Sequence, residues 1–442
     1  MPIRLSDHFT YKKLLRFTLP SIVMMAFTSI YGVVDGFFVS NFVGKTPFAA
    51  VNFIMPFLMI LGTVGFMVGT GGSAIVSHAM GEGDYPKANR IFSLLIYVSI
   101  GLGVLIAALG IVFLRPIAVL LGADGQMLED CVTYGRLILI ALPAFILQMA
   151  FQSFFVTAEK PQLGLWVTVA SGVTNMALDA LLVGIIPLGL SGAALATAIS
   201  QAVGGFVPIL YFARPNSSLL RLSSTKFDGR ALLKTCTNGS SELMSNVSMS
   251  LVGMLYNIQL YNYASEDGVA AYGVLMYVNM IFLAAFIGYS IGTAPVIGYH
   301  YGADNKAELR GLLRKSYVII AVCSVCMLGL SEVLARPLSL LFAGYDEALL
   351  QMTQHGFAIF SFSFLFAGFA IFSSSFFTAL GDGLTSALVS FLRTMVFQIA
   401  AVLLLPLIWE LDGIWASIVV AEGMAVLTSA LFLMLKRKKY GY

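Results

Sequence analysis

Residues 71–84 read GGSAIVSHAMGEGD, and 221 positions later residues 292–305 read GTAPVIGYHYGADN. The same offset pairs Arg115-Pro116 with Arg336-Pro337 and Gly135 with Gly356. It also pairs Phe155, Thr157 and Ala158 with Phe376, Thr378 and Ala379, and Gly192 with Gly413. A constant offset kept over such a length marks an internal duplication. Between the two copies runs RPNSSLLRLSSTKFDGR, residues 214–230, a polar and basic linker. The expected organisation is a lobe at 1–213, the linker at 214–230 and a second lobe at 231–442.

Both copies are too apolar to fold in water. Of the 442 residues, 59% are hydrophobic and 11% charged, and mean hydropathy is +0.90. A soluble domain carries about 25% charged residues. Lipid must cover much of this surface, and a helix crossing the hydrocarbon core needs about 20 residues. Apolar runs between charged or Gly/Pro punctuation give twelve spans, with cores at 17–40, 48–72, 91–114, 132–157, 163–186, 190–213, 231–262, 269–293, 316–335, 353–379, 384–408 and 413–435. The fold class is all-α, a membrane protein of twelve transmembrane helices in two six-helix repeats.

Lysine and arginine orient these spans. With the N-terminus placed in the cytoplasm, only Lys45, Arg115, Arg136 and Arg336 fall on the outer side, and Arg393 falls within a helix. Every other basic residue lies inside, which predicts both termini cytoplasmic. The N-terminal stretch MPIRLSDHFTYKKLLRF lacks a cleavable-signal pattern and reads as a retained tail. The formal net charge of +3 reports topology and gives no reason to expect nucleic acid. Four scattered histidines and four cysteines show no metal-ligand spacing; Cys323 and Cys326 lie in an apolar run without a second pair. An even number of spans per copy returns the chain to its starting side. The copies therefore lie parallel, related by an axis along the membrane normal, and such repeats build a cavity at their interface that rocking exposes to alternate sides.

Five charged residues sit well inside spans: Asp35, Asp179, Glu242, Arg393 and Glu422. Each costs about 2.5–3.5 kcal/mol at mid-membrane by insertion scales, so a charge there needs a partner or a cavity that uses it. Asp179 and Thr197 lie at similar depths on either side of one outer turn, and Asn175 shares the Asp179 face one turn lower. Asp35 lies at a comparable depth in the first span. These four residues are expected to converge. Two carboxyls with two neutral ligands suit a hard monovalent cation or a shared proton. By the repeat offset they map to Tyr256, Ala400, Val396 and Ile418. A packing role common to both copies would keep similar residues, so the asymmetry favours a dedicated site. In the second copy Arg393 is expected to pair with Glu422 or Glu242, leaving one surplus negative charge. That group reads either as a structural ion pair or as a second charge or substrate site. The tenth span is rich in phenylalanine, and an aromatic wall suits greasy cationic ligands. Pro20 removes a backbone hydrogen bond from the first span and is a candidate bend.

The segments LPSIVMMAFTSIYGVVDGFFVSNFVG (19–44), the repeated glycine-bounded segments above, FVTAEKPQLG (155–164), GVTNMALDALLV (172–183) and GLSGAALATAISQ (189–201) together resemble the multidrug and toxic compound extrusion family, prokaryotic branch. The resemblance covers nearly the whole chain. It implies two lobes arranged in a V, and export of organic cations in exchange for Na⁺ or H⁺. It also implies a cation site in the first lobe: an aspartate on the first helix, Asn-x-x-x-Asp on the fifth and a threonine on the sixth. Asp35, Asn175, Asp179 and Thr197 match these. Gln152 is the nearest counterpart of an amide that often joins them from the fourth helix, and Pro20 matches the family's first-helix proline. One branch of the family carries an acidic second-lobe site on helices 7 and 10, but here the tenth span has no acid in its membrane core.

The leading expectation is a secondary active antiporter exporting amphipathic or cationic organic compounds, and not an enzyme. It is expected as a monomer in the cytoplasmic (inner) membrane, with no cofactor beyond the coupling H⁺ or Na⁺ and no other metal. A flippase for a lipid-linked substrate would want several intramembrane basic residues to hold a diphosphate, and only Arg393 is available. A membrane-embedded enzyme would want a polar cluster near the interface; His78 and His300 lie near equivalent loops without a nucleophile or metal partner.

Overall fold

The computed structural model describes residues 3–344 and 346–442, with backbone only for residues 40, 45 and 341–343, so the Lys45 side chain lies outside the described residues. The first lobe comprises α1 (Tyr11–Phe38), α2 (Lys45–Gly81), α3 (Tyr85–Leu120), α4 (Gly125–Thr157), α5 (Pro161–Asp179) and α6 (Gly189–Ala213). An unbroken assignment of Gly229–Gly302 would be a rod of 74 residues, about 110 Å at 1.5 Å per residue, against a hydrocarbon core of about 30 Å. Ser265, at φ 52°, breaks it into two spans, α7 (229–264) and α8 (266–302). The second lobe continues with α9 (Lys306–Ala343), α10 (Glu347–Ala379) and, on either side of a second break at Glu410, φ 48°, α11 (383–409) and α12 (411–440). Residues 217–228 carry no helix. They lie along α3, where Asn89 Oδ1 accepts from the Arg221 amide at 2.6 Å and Ser93 Oγ from the Ser223 amide at 2.9 Å.

The duplication is visible in backbone detail. Positive φ occurs at Gly44, Gly83 and Gly189, and at their counterparts Ser265, Asp304 and Glu410. A left-handed residue reverses the chain between helices at no steric cost for glycine, whereas an L side chain there costs about 1–2 kcal/mol. The second copy keeps the turns while having lost the glycines.

Buried side chains form three groups. One lies within the first lobe (Val39, Ile54, Leu114, Tyr134, Leu139, Val183) and one within the second (Val252, Tyr256, Leu275, Phe357, Val402, Trp415). The third, around Leu5, Phe9, Met80, Phe92, Phe154, Phe286, Ile297, Phe376 and Tyr440, draws on both lobes and sits on the side that carries the termini. The lobes thus share a core on one side and keep separate cores on the other, which makes a V opening away from the termini. Most α10 phenylalanines belong to these cores: Phe357, Phe360, Phe364, Phe372, Phe376 and Phe377 are each at most 3% exposed. The expected aromatic wall is therefore packing, because those rings fill the space between α10 and its neighbours.

The seam at the apex is made of backbone. A Cβ added to Gly71 would fall 2.3 Å from the Thr235 carbonyl oxygen, and one on Gly239 would fall 2.0 Å from that of Met67. One on Gly81 would meet the Tyr299 oxygen at 2.0 Å, and one on Gly302 the His78 oxygen at 2.2 Å. Gly81–Tyr299 and Gly302–His78 are the same contact exchanged by the repeat. Gly292 against Thr18 is likewise the counterpart of Gly71 against Gly239. By contrast Gly32, Gly36, Gly253 and Gly273, in the opened halves, have no neighbour within 4 Å of an added Cβ. Gly239→Ala is expected to push α7 off α2, costing about 1–3 kcal/mol as an overpacked contact. A lower melting temperature in detergent would register this; an unchanged melt would mean the seam yields without loss.

Candidate functional site

The four first-lobe residues come together. Thr197 Oγ1 on α6 donates to Asp35 Oδ1 at 3.4 Å, and Asn175 Nδ2 on α5 donates to Thr197 Oγ1 at 3.5 Å. Asp35 and Asp179 lie next to each other. Asp179 is fully buried and Asn175 1% exposed, while Asp35 and Thr197 are half-buried. The site therefore has a closed inner wall and a more exposed side. Both carboxylate oxygens of Asp179 and Oδ1 of Asn175 lack a protein hydrogen-bond partner. A buried acceptor without a donor costs about 1–3 kcal/mol, more if charged, unless something outside the chain supplies the missing positive charge.

Local backbone places these groups. A π-helical turn, Ala180–Ile185, follows Asp179 directly, and another, Val39–Val43, closes α1 one turn beyond Asp35. Such bulges recur where a helix must turn a side chain out of register toward a site. Gly172 admits the rings of Phe27 and Tyr31, holding α1 against α5.

Gln152 does not join the cluster. Both its amide atoms lack protein partners, and it lines a cavity of about 10 Å³ with Gln148, Phe151, Thr168 and Gly204, about the minimum for one water. The α4 amide nearest the site is Gln148, one turn closer to the outside. It approaches Tyr31 and donates to Ser171 Oγ at 3.2 Å, and Ser171 Oγ donates to the Ser200 carbonyl at 2.7 Å. Gln148 and Gln152 share a helix face at i and i+4, so spacing alone cannot choose between their levels. Tyr134 is a second residue the sequence did not flag; its hydroxyl approaches Thr197 and donates to Met55 Sδ at 3.9 Å. Pro20 is buried, and α1 stays helical on both sides of it.

In the second lobe Arg393 chooses Glu422. Its Nε lies 2.8 Å from Oε2 and 3.1 Å from Oε1, with side chains 13% and 3% exposed. A third π turn, Leu392–Val396, carries the arginine. Glu242 feels the same guanidinium without a direct pair among the described residues. At the position equivalent to Asp35, Tyr256 stacks on Tyr272 with centroids 5.4 Å apart, so that level is an aromatic core with no acid. No group of three or more metal-ligating side chains occurs among the described residues. Removing Glu422 strands a buried cation, which costs about 3–5 kcal/mol. Glu422→Gln is therefore expected to lower the melting temperature clearly more than Glu242→Gln. Equal losses would mean that Glu242 shares the pair.

A family model described as MatE matches residues 20–181 and again 243–404. The multidrug export protein MepA of Staphylococcus saprophyticus is 26% identical over 436 residues, covering 97% of this chain and 94% of that protein. MepA of Staphylococcus aureus strain MRSA252 is 24% identical over 432 residues, with the same coverage. Among solved structures, a MATE in complex with MaL6 superposes with a TM-score of 0.93 at 20% identity, covering 98% of each chain. An outward-facing multidrug resistance MATE family transporter of the MOP superfamily gives 0.93 at 20% identity, over 98% of this chain and 97% of that one. At that identity the likeness is one of fold.

Proposed function

The chain belongs to the MatE family, and from that premise we propose that it is a multidrug exporter, a secondary antiporter that drives amphipathic, often cationic, organic compounds out of the cell in exchange for H⁺ or Na⁺. The export name borne by the MepA relatives, at near full-length coverage, supports the substrate class. The observation that carries the mechanism is Asp179: buried, with two unpartnered carboxylate oxygens, beside Asp35, Asn175 and Thr197. A proton or a sodium ion completes that set of oxygens, and Asp35 provides the route from solvent.

Asp35 and Asp179 are the coupling residues in this reading. Asn175 and Thr197 orient them, and Gln148 rather than Gln152 supports α1 from behind. Lysine and arginine bias places both termini in the cytoplasm, so the V opens outward and the apex closes the inner side. Ion binding and substrate binding favour opposite openings of the lobes, which is how each drives the release of the other. Pro20 lies within the seam, between Thr18 against Gly292 and Ile22 against Gly288, and bending there would carry Asp35. Glu242, the surplus acid of the second lobe, attracts cationic substrates. A flippase for lipid diphosphates is disfavoured, since Arg393 is already committed to Glu422.

Asp35→Asn and Asp179→Asn are each expected to abolish coupled efflux, with the protein still folded in the membrane. Efflux from proteoliposomes under a Na⁺ gradient and under a pH gradient, each imposed alone, identifies the ion. Wild-type efflux in both variants would remove the site from the mechanism.

A further inference from the structure

Residues 3–10 do not hang free ahead of α1. Leu5 and Phe9 are fully buried, within the core shared by the two lobes. The Leu5 amide donates to Glu159 Oε1 at 2.7 Å; Glu159 lies between α4 and α5, in the first lobe. Four residues on, the segment is held by the second lobe. The Phe9 amide donates to Glu308 Oε1 at 2.9 Å, and His8 Nδ1 lies 2.6 Å from Glu308 Oε2. Lys315 Nζ donates to the Phe9 carbonyl, and the Phe9 ring meets His300 edge-on with centroids 6.4 Å apart. His300, Glu308 and Lys315 belong to α8 and α9.

These contacts differ from the rest of the apex. The seam glycines touch backbone to backbone, and Asn238 Nδ2 reaches the Gly71 carbonyl only at a long 3.4 Å. Among the described residues, His8–Glu308 is the only contact between a carboxylate and a basic side chain that joins the lobes. The C-terminal segment reaches the shared core, but these of its hydrogen bonds stay within its own lobe: Tyr440 donates to Asp382 Oδ2 at 2.7 Å and Arg310 Nε to the Gly441 carbonyl at 2.9 Å. The repeat does not duplicate the arrangement either: Lys87 and Leu380 occupy the positions equivalent to Glu308 and Glu159.

We propose that residues 3–10 form a latch that holds the termini side shut, with Glu308 of the second lobe as its catch and Glu159 of the first lobe as its anchor. The anchor and the continuous backbone into α1 make the segment travel with the first lobe. Parting the lobes on this side therefore breaks the Glu308 and Lys315 bonds and leaves the Leu5 bond intact. Charge-assisted hydrogen bonds are about twice as strong as neutral ones, and the catch is buried at 7% exposure against Phe9 of the shared core. Its breakage is then an energetic threshold for switching access, separate from the coupling site. The latch rests on the alternating-access reading above only in that the lobes must part.

Distances between spin labels at Gln162→Cys in the first lobe and Ala307→Cys in the second, both exposed, read that parting directly. The four native cysteines are replaced by serine, and the protein sits in liposomes without substrate. The unmodified N-terminal segment should give one dominant short distance. Glu308→Ala should raise the ratio of long to short distances roughly tenfold, equivalent to about 1.4 kcal/mol. Lys315→Ala, which deletes one donor at a partly exposed site and spares the core, should move it the same way by a smaller factor. Glu159→Ala, with the segment still joined to α1, should move it less than Glu308→Ala does. A distribution unchanged by Glu308→Ala and Lys315→Ala overturns the latch, and Lys315→Ala alone decides the matter if Glu308→Ala does not fold. In an Asp35→Asn background Glu308→Ala should raise the ratio of long to short distances by the same factor as in its absence, so a failed coupling site and a failed latch give different results.

Discussion

The whole arrangement depends on two lobes touching through glycine at one end. Within lipid, burying apolar side chains of one helix against another yields little, because the tails are equally apolar. What remains is close packing, and that is greatest where backbones meet. Gly71, Gly239, Gly81 and Gly302 bring carbonyl oxygens to within 2.0–2.3 Å of where a Cβ would stand. Such a seam is tight when closed, yet few polar groups are stranded when it opens, since the helices on either side satisfy their own backbones. Each lobe also keeps its own core toward the open side. A lobe can then swing as a unit with only the shared core to remake.

The repeat supplies the symmetry of the seam, and its breaking supplies the site. At one level the first lobe has Asp35, Asn175, Asp179 and Thr197, while the second has Tyr256 stacked on Tyr272. One to two turns deeper the positions reverse. Gly172 in the first lobe corresponds to Arg393, and Gln201 to Glu422, so the ion pair lies where the first lobe has a glycine that seats Phe27 and Tyr31. Each lobe carries charge at one level and packing at the other. The first lobe's carboxylates are left with open acceptors, whereas in the second lobe Glu422 is neutralised by Arg393 and Glu242 is the acid left over.

Much of this was legible in the sequence. Twelve spans and their order followed from apolar run length, and the runs end where Ser265-Glu266-Asp267 and Glu410-Leu411-Asp412 interrupt them. The four-residue convergence followed from rise per residue on two helices joined by a short outer turn. Two things were not legible. Choosing Gln148 over Gln152 needs the depth of α4 to within one turn, and both residues obey the same face rule. The N-terminal stretch reads as a basic tail because its charges dominate its composition. The signal that was there is the pair of apolar residues Leu5 and Phe9 among charged neighbours, but in a stretch without helix their spacing fixes no common face. The acids receiving their amides, Glu159 and Glu308, are far apart in sequence and lie on opposite lobes, so no local pattern announces them.

The left-handed turns carry the last step. Gly44, Gly83 and Gly189 reverse the chain freely, but Ser265, Asp304 and Glu410 do so against steric cost. The second lobe accepts this strain at two outer reversals and at one on the termini side, at Asp304 between α8 and α9. That last reversal is four residues before Glu308, and Asn305 caps the helix that begins there by accepting from the Glu308 amide at 3.1 Å. A defined turn of this kind fixes where α9 starts, and with it the position of the carboxylate that takes the Phe9 amide. Glycine at 304 would permit more backbone freedom at that point. An L residue held there by its surroundings narrows the choice, so the strained turn and the catch it orients belong to one local construction.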